Sequence, residues 1–159
     1  MGDLPHMKIC CMCQMPRPEA EAVCLICLSK DFTSVSWALP EDFGLRLIGE
    51  NRLDVAYAYL EEQVARDRET AAVTLRLAWL AYAFKDFRAV ETWCHEATRL
   101  DEAWAEPHIL LGYVLQRAGR WEEAVEEYAI AGRREGLSEE RRQRVLDLTV
   151  ECRTNISEF

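Results

Sequence analysis

Five of the seven cysteines fall between Cys10 and Cys27, and the other two, Cys94 and Cys152, stand far downstream. Cys10-x2-Cys13 and Cys24-x2-Cys27 have the spacing at which a tight loop turns two thiolates toward one ion, and ten residues including Pro16 and Pro18 separate the pairs. Two such loops brought together by a hairpin complete a tetrahedral shell of four sulfurs. Because protein fills every position of that shell, no place is left for water or substrate. The implied role is structural, with metal binding supplying folding energy to a short segment poor in large apolar side chains. Cys10, Cys13, Cys24 and Cys27 are therefore the candidate ligands of a zinc ion. An iron or other redox centre and unligated thiols are the alternatives, and Cys11 competes with Cys10 through the poorer Cys11-x-Cys13 chelate.

The remaining chemistry is sparse. His95 and His108 fall on different predicted helices, no glycine-rich phosphate loop occurs, and no serine or cysteine has a base beside it, so the chain is expected not to be an enzyme. Cys94 falls on a packed helix position and reads as a small core residue rather than a nucleophile. An odd number of cysteines cannot all pair within one chain. No stretch is apolar enough for a membrane span or a signal peptide, and the expected location is cytoplasmic, where thiols stay reduced. The formal charge is −9. Four acids nearly balance three bases in residues 1–36, so the negative charge lies on the rest of the chain and would repel a phosphate backbone; nucleic acid is excluded as a general partner.

Residues 8–30 resemble a zinc ribbon or a rubredoxin-like knuckle pair, with Gln14 and Leu28 where many such knuckles carry glycine. The dipeptide His6-Met7 is what a cloning junction leaves, so residues 1–6 are read as a remnant ahead of a natural start at Met7. The amino-terminal segment is taken as residues 1–33 and the body as 34–159.

The body repeats. A shift of 34 residues superposes Phe43, Leu77 and Leu111; Gly44, Ala78 and Gly112; Leu53, Phe87 and Trp121; and Ala56, Val90 and Ala124. A small residue at 44, 78 and 112 lets two helices approach, and the bulky residue nine places on fills the space beside the turn. Asn51, Thr70 and Asp86 stand where helix N-caps are needed, Gly119 where a left-handed residue should end a helix, and Pro107 in a first turn. The expected helices run over about 39–49, 52–66, 71–84, 87–100, 106–118 and 121–132. Leu137, Ser138 and the apolar stripe Val145, Leu148 and Cys152 then predict a capping helix from about 138 with one wet face.

The copies "VTLRLAWLAYAFKDFRAVETWCHEATRLD" and "EPHILLGYVLQRAGRWEEAVEEYAIA" resemble the tetratricopeptide repeat. The resemblance implies an all-α, right-handed superhelix of three helix pairs, at 37–70, 71–104 and 105–138. Repeat 1 is degenerate, and the proline that often closes a repeat is replaced by Arg68, Glu102 and Gly136. In this family the first helix of each pair lines a concave groove. The residues carried over to that surface are Glu41, Leu45 and Ile48 in repeat 1, Ala72, Leu75, Arg76, Trp79 and Tyr82 in repeat 2, and Glu106, Ile109, Tyr113, Gln116 and Arg117 in repeat 3. Of these, Leu75, Arg76, Trp79, Tyr82, Ile109, Tyr113, Gln116 and Arg117 are the candidate partner contacts. Exposed Leu75, Trp79, Tyr82 and Tyr113 would suit an apolar peptide or amphipathic helix; buried, they would be core.

The favoured reading is a protein–protein interaction adaptor that grips a partner's helix or tail, with a structural zinc knuckle at its amino end. A second reading is a chaperone resembling the small acidic three-repeat chaperones of bacterial type III secretion. A third is a metal-dependent regulator, because a bacterial regulator of lipopolysaccharide synthesis joins similar repeats to a rubredoxin-like knuckle at its opposite end. Sixteen arginines against three lysines point to a GC-rich, bacterial genome.

Overall fold

The computed structural model describes residues 50–67 and 69–158, together with Gly44, Leu47 and Ile48 and the backbone of three short strand segments. Six complete helices follow one another: α1 (Leu53–Ala65), α2 (Ala71–Ala83), α3 (Phe87–Leu100), α4 (Glu106–Arg117), α5 (Trp121–Gly132) and α6 (Glu139–Ser157). Gly44, Leu47 and Ile48 are helical as well, inside the span expected for the first helix.

Local chemistry accounts for most of the boundaries. Thr70, Asp86 and Ser138 each accept a hydrogen bond from the backbone N–H three residues on, at Val73, Ala89 and Arg141, which satisfies one donor that a helix start leaves orphaned. Pro107 sits in the first turn of α4, where its missing N–H costs nothing. Asn51 is a correction. The N-cap of α1 is Arg52, without a side-chain cap, while Asn51 adopts φ 58°.

That left-handed residue recurs at the sequence period. Asn51, Lys85 and Gly119 have φ of 58°, 60° and 76°, and each is spanned by the same backbone bond: Arg52 N–H to Leu47 C=O, Asp86 N–H to Ala81 C=O, and Arg120 N–H to Leu115 C=O, all 2.9 Å. This bond closes a left-handed turn over the helix end and aims the next helix back along the last. Three equal turns 34 residues apart give three equal helix reversals.

Sequential neighbours pack against one another, α2 on α3, α4 on α5 and α5 on α6, with smaller contacts of α1 on α2, α3 on α4, and α2 on α4. The described body is thus an all-α stack of helices in sequential pairs. Ala56, Val90 and Ala124 are buried at equivalent points, as are Leu60, Cys94 and Tyr128. The register of Leu53, Phe87 and Trp121 does not hold uniformly: Leu53 is buried, Trp121 half-buried and Phe87 42% exposed. Leu137, Val145, Leu148 and Cys152 bury one side of α6, and its other side carries exposed Leu146 and Val150 rather than polar residues alone.

Ahead of the helices, β1 (Met7–Cys10), β2 (Pro16–Pro18) and β3 (Phe32–Thr33) pair antiparallel in the order β2-β1-β3. The two prolines fall on an edge strand, which tolerates the loss of a donor. Strand β2 packs against α2.

Candidate functional site

The contact of α2 with α4 brings the candidate groove residues of two successive repeats together. Tyr82 is the hub. Its ring lies 5.9 Å from that of Tyr113 and 6.1 Å from that of Trp79, both edge-on, and 6.3 Å from that of Phe87. Edge-to-face rings at such separations place the positive rim of one against the negative face of the next.

Exposure divides the eight candidate residues. Leu75, Trp79, Ile109 and Tyr113 are buried, Arg76, Tyr82 and Gln116 are half-buried, and Arg117 is exposed. The expectation of open aromatic anchors therefore needs correction at Trp79 and Tyr113. Leu75, Ala78 and Trp79 share one side of α2, while Leu77 and Ala81, which face elsewhere, are buried too. Arg76 and Tyr82 keep partial solvent access on α2, while Leu75 and Trp79 are enclosed. The indole N–H of Trp79 meets no hydrogen-bond partner among the described residues. Ile48 is also buried, whereas Glu41 and Leu45 lie outside the described residues.

Gln116 has a structural duty as well. Its Oε1 accepts a 2.8 Å hydrogen bond from the hydroxyl of buried Tyr128, tying α4 to α5. Burial pushes the Tyr128 phenol well above its usual range, so it remains a donor.

The polar side chains at the carboxy-terminal end of the stack gave no sequence signal. Glu106 is buried and bonded at 2.5 Å by Arg141, which joins α4 to α6. His108 receives the Arg134 guanidinium on Nε2 at 3.3 Å and places Nδ1 2.7 Å from Glu127. Since arginine can only donate, Nε2 accepts and the Nδ1–H donates to Glu127. Arg142 donates to the carbonyls of Gly132, at the end of α5, and of Arg134 and Leu137 in the turn that follows. The partners of Glu106 and His108 come from distant parts of the chain, so no local motif announces them.

Two clefts on the side of the second helices repeat the period. One, of about 330 Å³, is lined by Tyr57, Asp86, Arg88, Ala89, Thr92 and Trp93, with the Trp93 indole N–H bonded to Tyr57 Oη at 2.9 Å. The other, of about 200 Å³, has Glu91, Arg120, Glu123 and Glu127 at the corresponding places. There Arg120 bridges Glu91 and Glu123, which holds the Glu123 carboxyl below its usual range.

Among the described residues no three His, Cys, Asp or Glu side chains gather as metal ligands. Cys94 and Cys152 are buried singly, and burial raises both thiols above their ordinary range, the opposite of what a nucleophile needs. The side chains of Cys10, Cys13, Cys24 and Cys27 lie outside the described residues. No helix among the described residues is long and apolar enough to cross a membrane. Searched against protein-family models and against curated proteins, the chain gave no match.

Proposed function

We propose that the chain is a tetratricopeptide-type adaptor that holds a partner's extended peptide or amphipathic helix along the first helices of its repeats. The observation that carries this reading is the recurrence, every 34 residues, of one left-handed helix ending with one backbone bond. Turns of equal geometry stack the first helices side by side, and a row of like helices forms a continuous surface for an elongated ligand. Tyr82, Arg76, Gln116 and Arg117 retain solvent access on those helices and supply one aromatic ring, an amide and two cations. A peptide with apolar anchors and acidic flanks matches that set.

One zinc ion held by Cys10, Cys13, Cys24 and Cys27 belongs to the same proposal, as a structural element of the amino-terminal segment. The ligand spacing supports it, and Cys94 and Cys152 are each buried as free thiols in the helical body. Elemental analysis of purified protein should find one zinc per chain, lost when Cys24 and Cys27 are replaced by serine.

Partner capture from native lysate tests the groove. Tyr82→Ala and Arg117→Glu should each weaken capture of a partner that the unaltered chain retains, while Glu122→Lys on the second-helix side should not. Equal capture by all variants would place the partner elsewhere.

A further inference from the structure

The two clefts on the side of the second helices are one place in consecutive repeats, and they are filled differently. A shift of 34 residues carries Tyr57, Asp86, Ala89, Thr92 and Trp93 of the first onto Glu91, Arg120, Glu123, Glu126 and Glu127 of the second. In the second, the Arg120 guanidinium joins α3 to α5, bonded to Glu91 and to both carboxylate oxygens of Glu123. The chain supplies its own cation there. In the first, Asp86 stands at the arginine's place and Ala89 at that of Glu123. The short Asp86 side chain caps its own helix, accepting from the Ala89 N–H at 3.1 Å. The cleft there measures about 330 Å³, against about 200 Å³ where Arg120 lies.

Its lining suits a cation. Tyr57 and Trp93 bring two aromatic rings, fixed by the 2.9 Å bond from the indole N–H to Tyr57 Oη and by the Phe84 ring, edge-on to Tyr57 at 5.9 Å. Tyr57 Oη keeps a second lone pair for another donor. Burial, together with the carboxylates of Glu61 and Asp86, raises the Tyr57 phenol above its usual range, so further negative charge is disfavoured beside it. Arg88 is the opposing charge in the lining, and its exposed side chain is long enough to extend into water.

We propose that this cleft takes an arginine side chain from a partner protein, whose guanidinium stacks on Trp93 and lies between Asp86 and Tyr57 Oη, where the next repeat places Arg120. A guanidinium is planar and weakly hydrated, and its forked donors suit a carboxylate while its face suits an aromatic wall. The site is separate from the groove of the first helices, and its failure leaves that reading standing.

The experiment uses the full chain, with N-acetylarginine methylamide as the probe and the Trp93 indole N–H resonance, assigned with Trp93→Phe, as the readout. The probe should shift that resonance saturably in roughly the millimolar range, as a single exposed ion pair on an aromatic ring allows. N-acetylcitrulline methylamide, its neutral isostere, should leave the resonance in place. Asp86→Asn keeps a helix-capping side chain and removes the charge, so the probe should bind about threefold more weakly. Arg88→Gln removes the competing cation and should tighten binding by a similar factor. Asp86→Arg with Ala89→Glu rebuilds the pair that the next repeat carries, and should fill the cleft and abolish the shift.

An absent or unsaturable shift in the unaltered chain would overturn the proposal, as would an equal shift with the citrulline probe. Unchanged affinity in Asp86→Asn would overturn it too. So would undiminished binding to the Asp86→Arg, Ala89→Glu chain when its helical circular dichroism matches that of the unaltered protein.

Discussion

Gly112 lies against the ring of Tyr128 so closely that a Cβ built on its Cα would stand 2.6 Å from Cε1 and 2.7 Å from Cδ1. The ring cannot swing aside, because its hydroxyl is anchored on Gln116 and its faces are fully buried. Gly112→Ala should therefore destabilise the fold by about 1–3 kcal/mol, with the overpacking partly offset by the better helix propensity of alanine. Thermal melts check the sign. Adding Tyr128→Leu, which removes the ring, should recover part of the loss, and an unchanged or higher Tm in the single variant would refute the close contact.

Lys85 offers the opposite sign. It is exposed and left-handed at φ 60°, where its equivalent at the next turn is Gly119, and a Cβ in that region crowds the following carbonyl. Lys85→Gly should stabilise the protein by about 1 kcal/mol, less the entropy that glycine loses on folding. The converse, Gly119→Ala, should cost about 1 kcal/mol, since nothing crowds its side-chain position and only the backbone objects. Chemical denaturation curves of the pair separate the backbone term from packing.

Thiol chemistry should sort the cysteines into two classes. Cys94 and Cys152 are buried with raised pKa, so neither should alkylate in the folded protein. Mass spectrometry after native alkylation with chelator present should find adducts only between Cys10 and Cys27, at most five, and all seven cysteines should react once the chain is unfolded. An early adduct on Cys94 would mean that α3 opens far more readily than its packing implies.

Glu69 and Glu96 share a hydrogen bond beside Arg99 and are displaced in opposite directions. Burial and its neighbour raise the Glu69 carboxyl above the usual range, while the Arg99 guanidinium holds Glu96 below it. A raised folded pKa at Glu69 means that its contribution is intact below the ordinary glutamate range and is lost as pH rises through the folded value. Glu96 contributes above the ordinary range and is lost as pH falls through its lowered value. Glu69→Gln, which cannot ionise and still donates to Glu96, should match the unaltered chain in acid and exceed its Tm near neutrality. Tm measured against pH for both proteins checks this, and parallel curves would refute it.

Much of the helical layout was legible because helix ends are local events. Thr70, Asp86, Pro107, Gly119 and Ser138 act on backbone groups within a few residues of themselves, so their positions in the chain already place five boundaries. Asn51 shows the limit of that logic. Its residue type suits both an N-cap and a left-handed turn, and only the bond from Arg52 to Leu47 selects the second.

The 34-residue period by itself determined that the body is a set of like helix pairs, because small residues at fixed intervals permit only one spacing between helices. Which apolar residues meet solvent was decided by tertiary structure. Leu53 and Phe87 occupy the same place in their repeats, yet one is buried and the other exposed, and Trp79 is enclosed although the repeat resemblance implies a groove position for it. Burial is set by what other segments bring to a face, and periodicity within one segment carries no record of that arrival. The same reason hides the Glu106–Arg141 pair, whose two members are held together only by the stacking of α6 beyond α4 and α5.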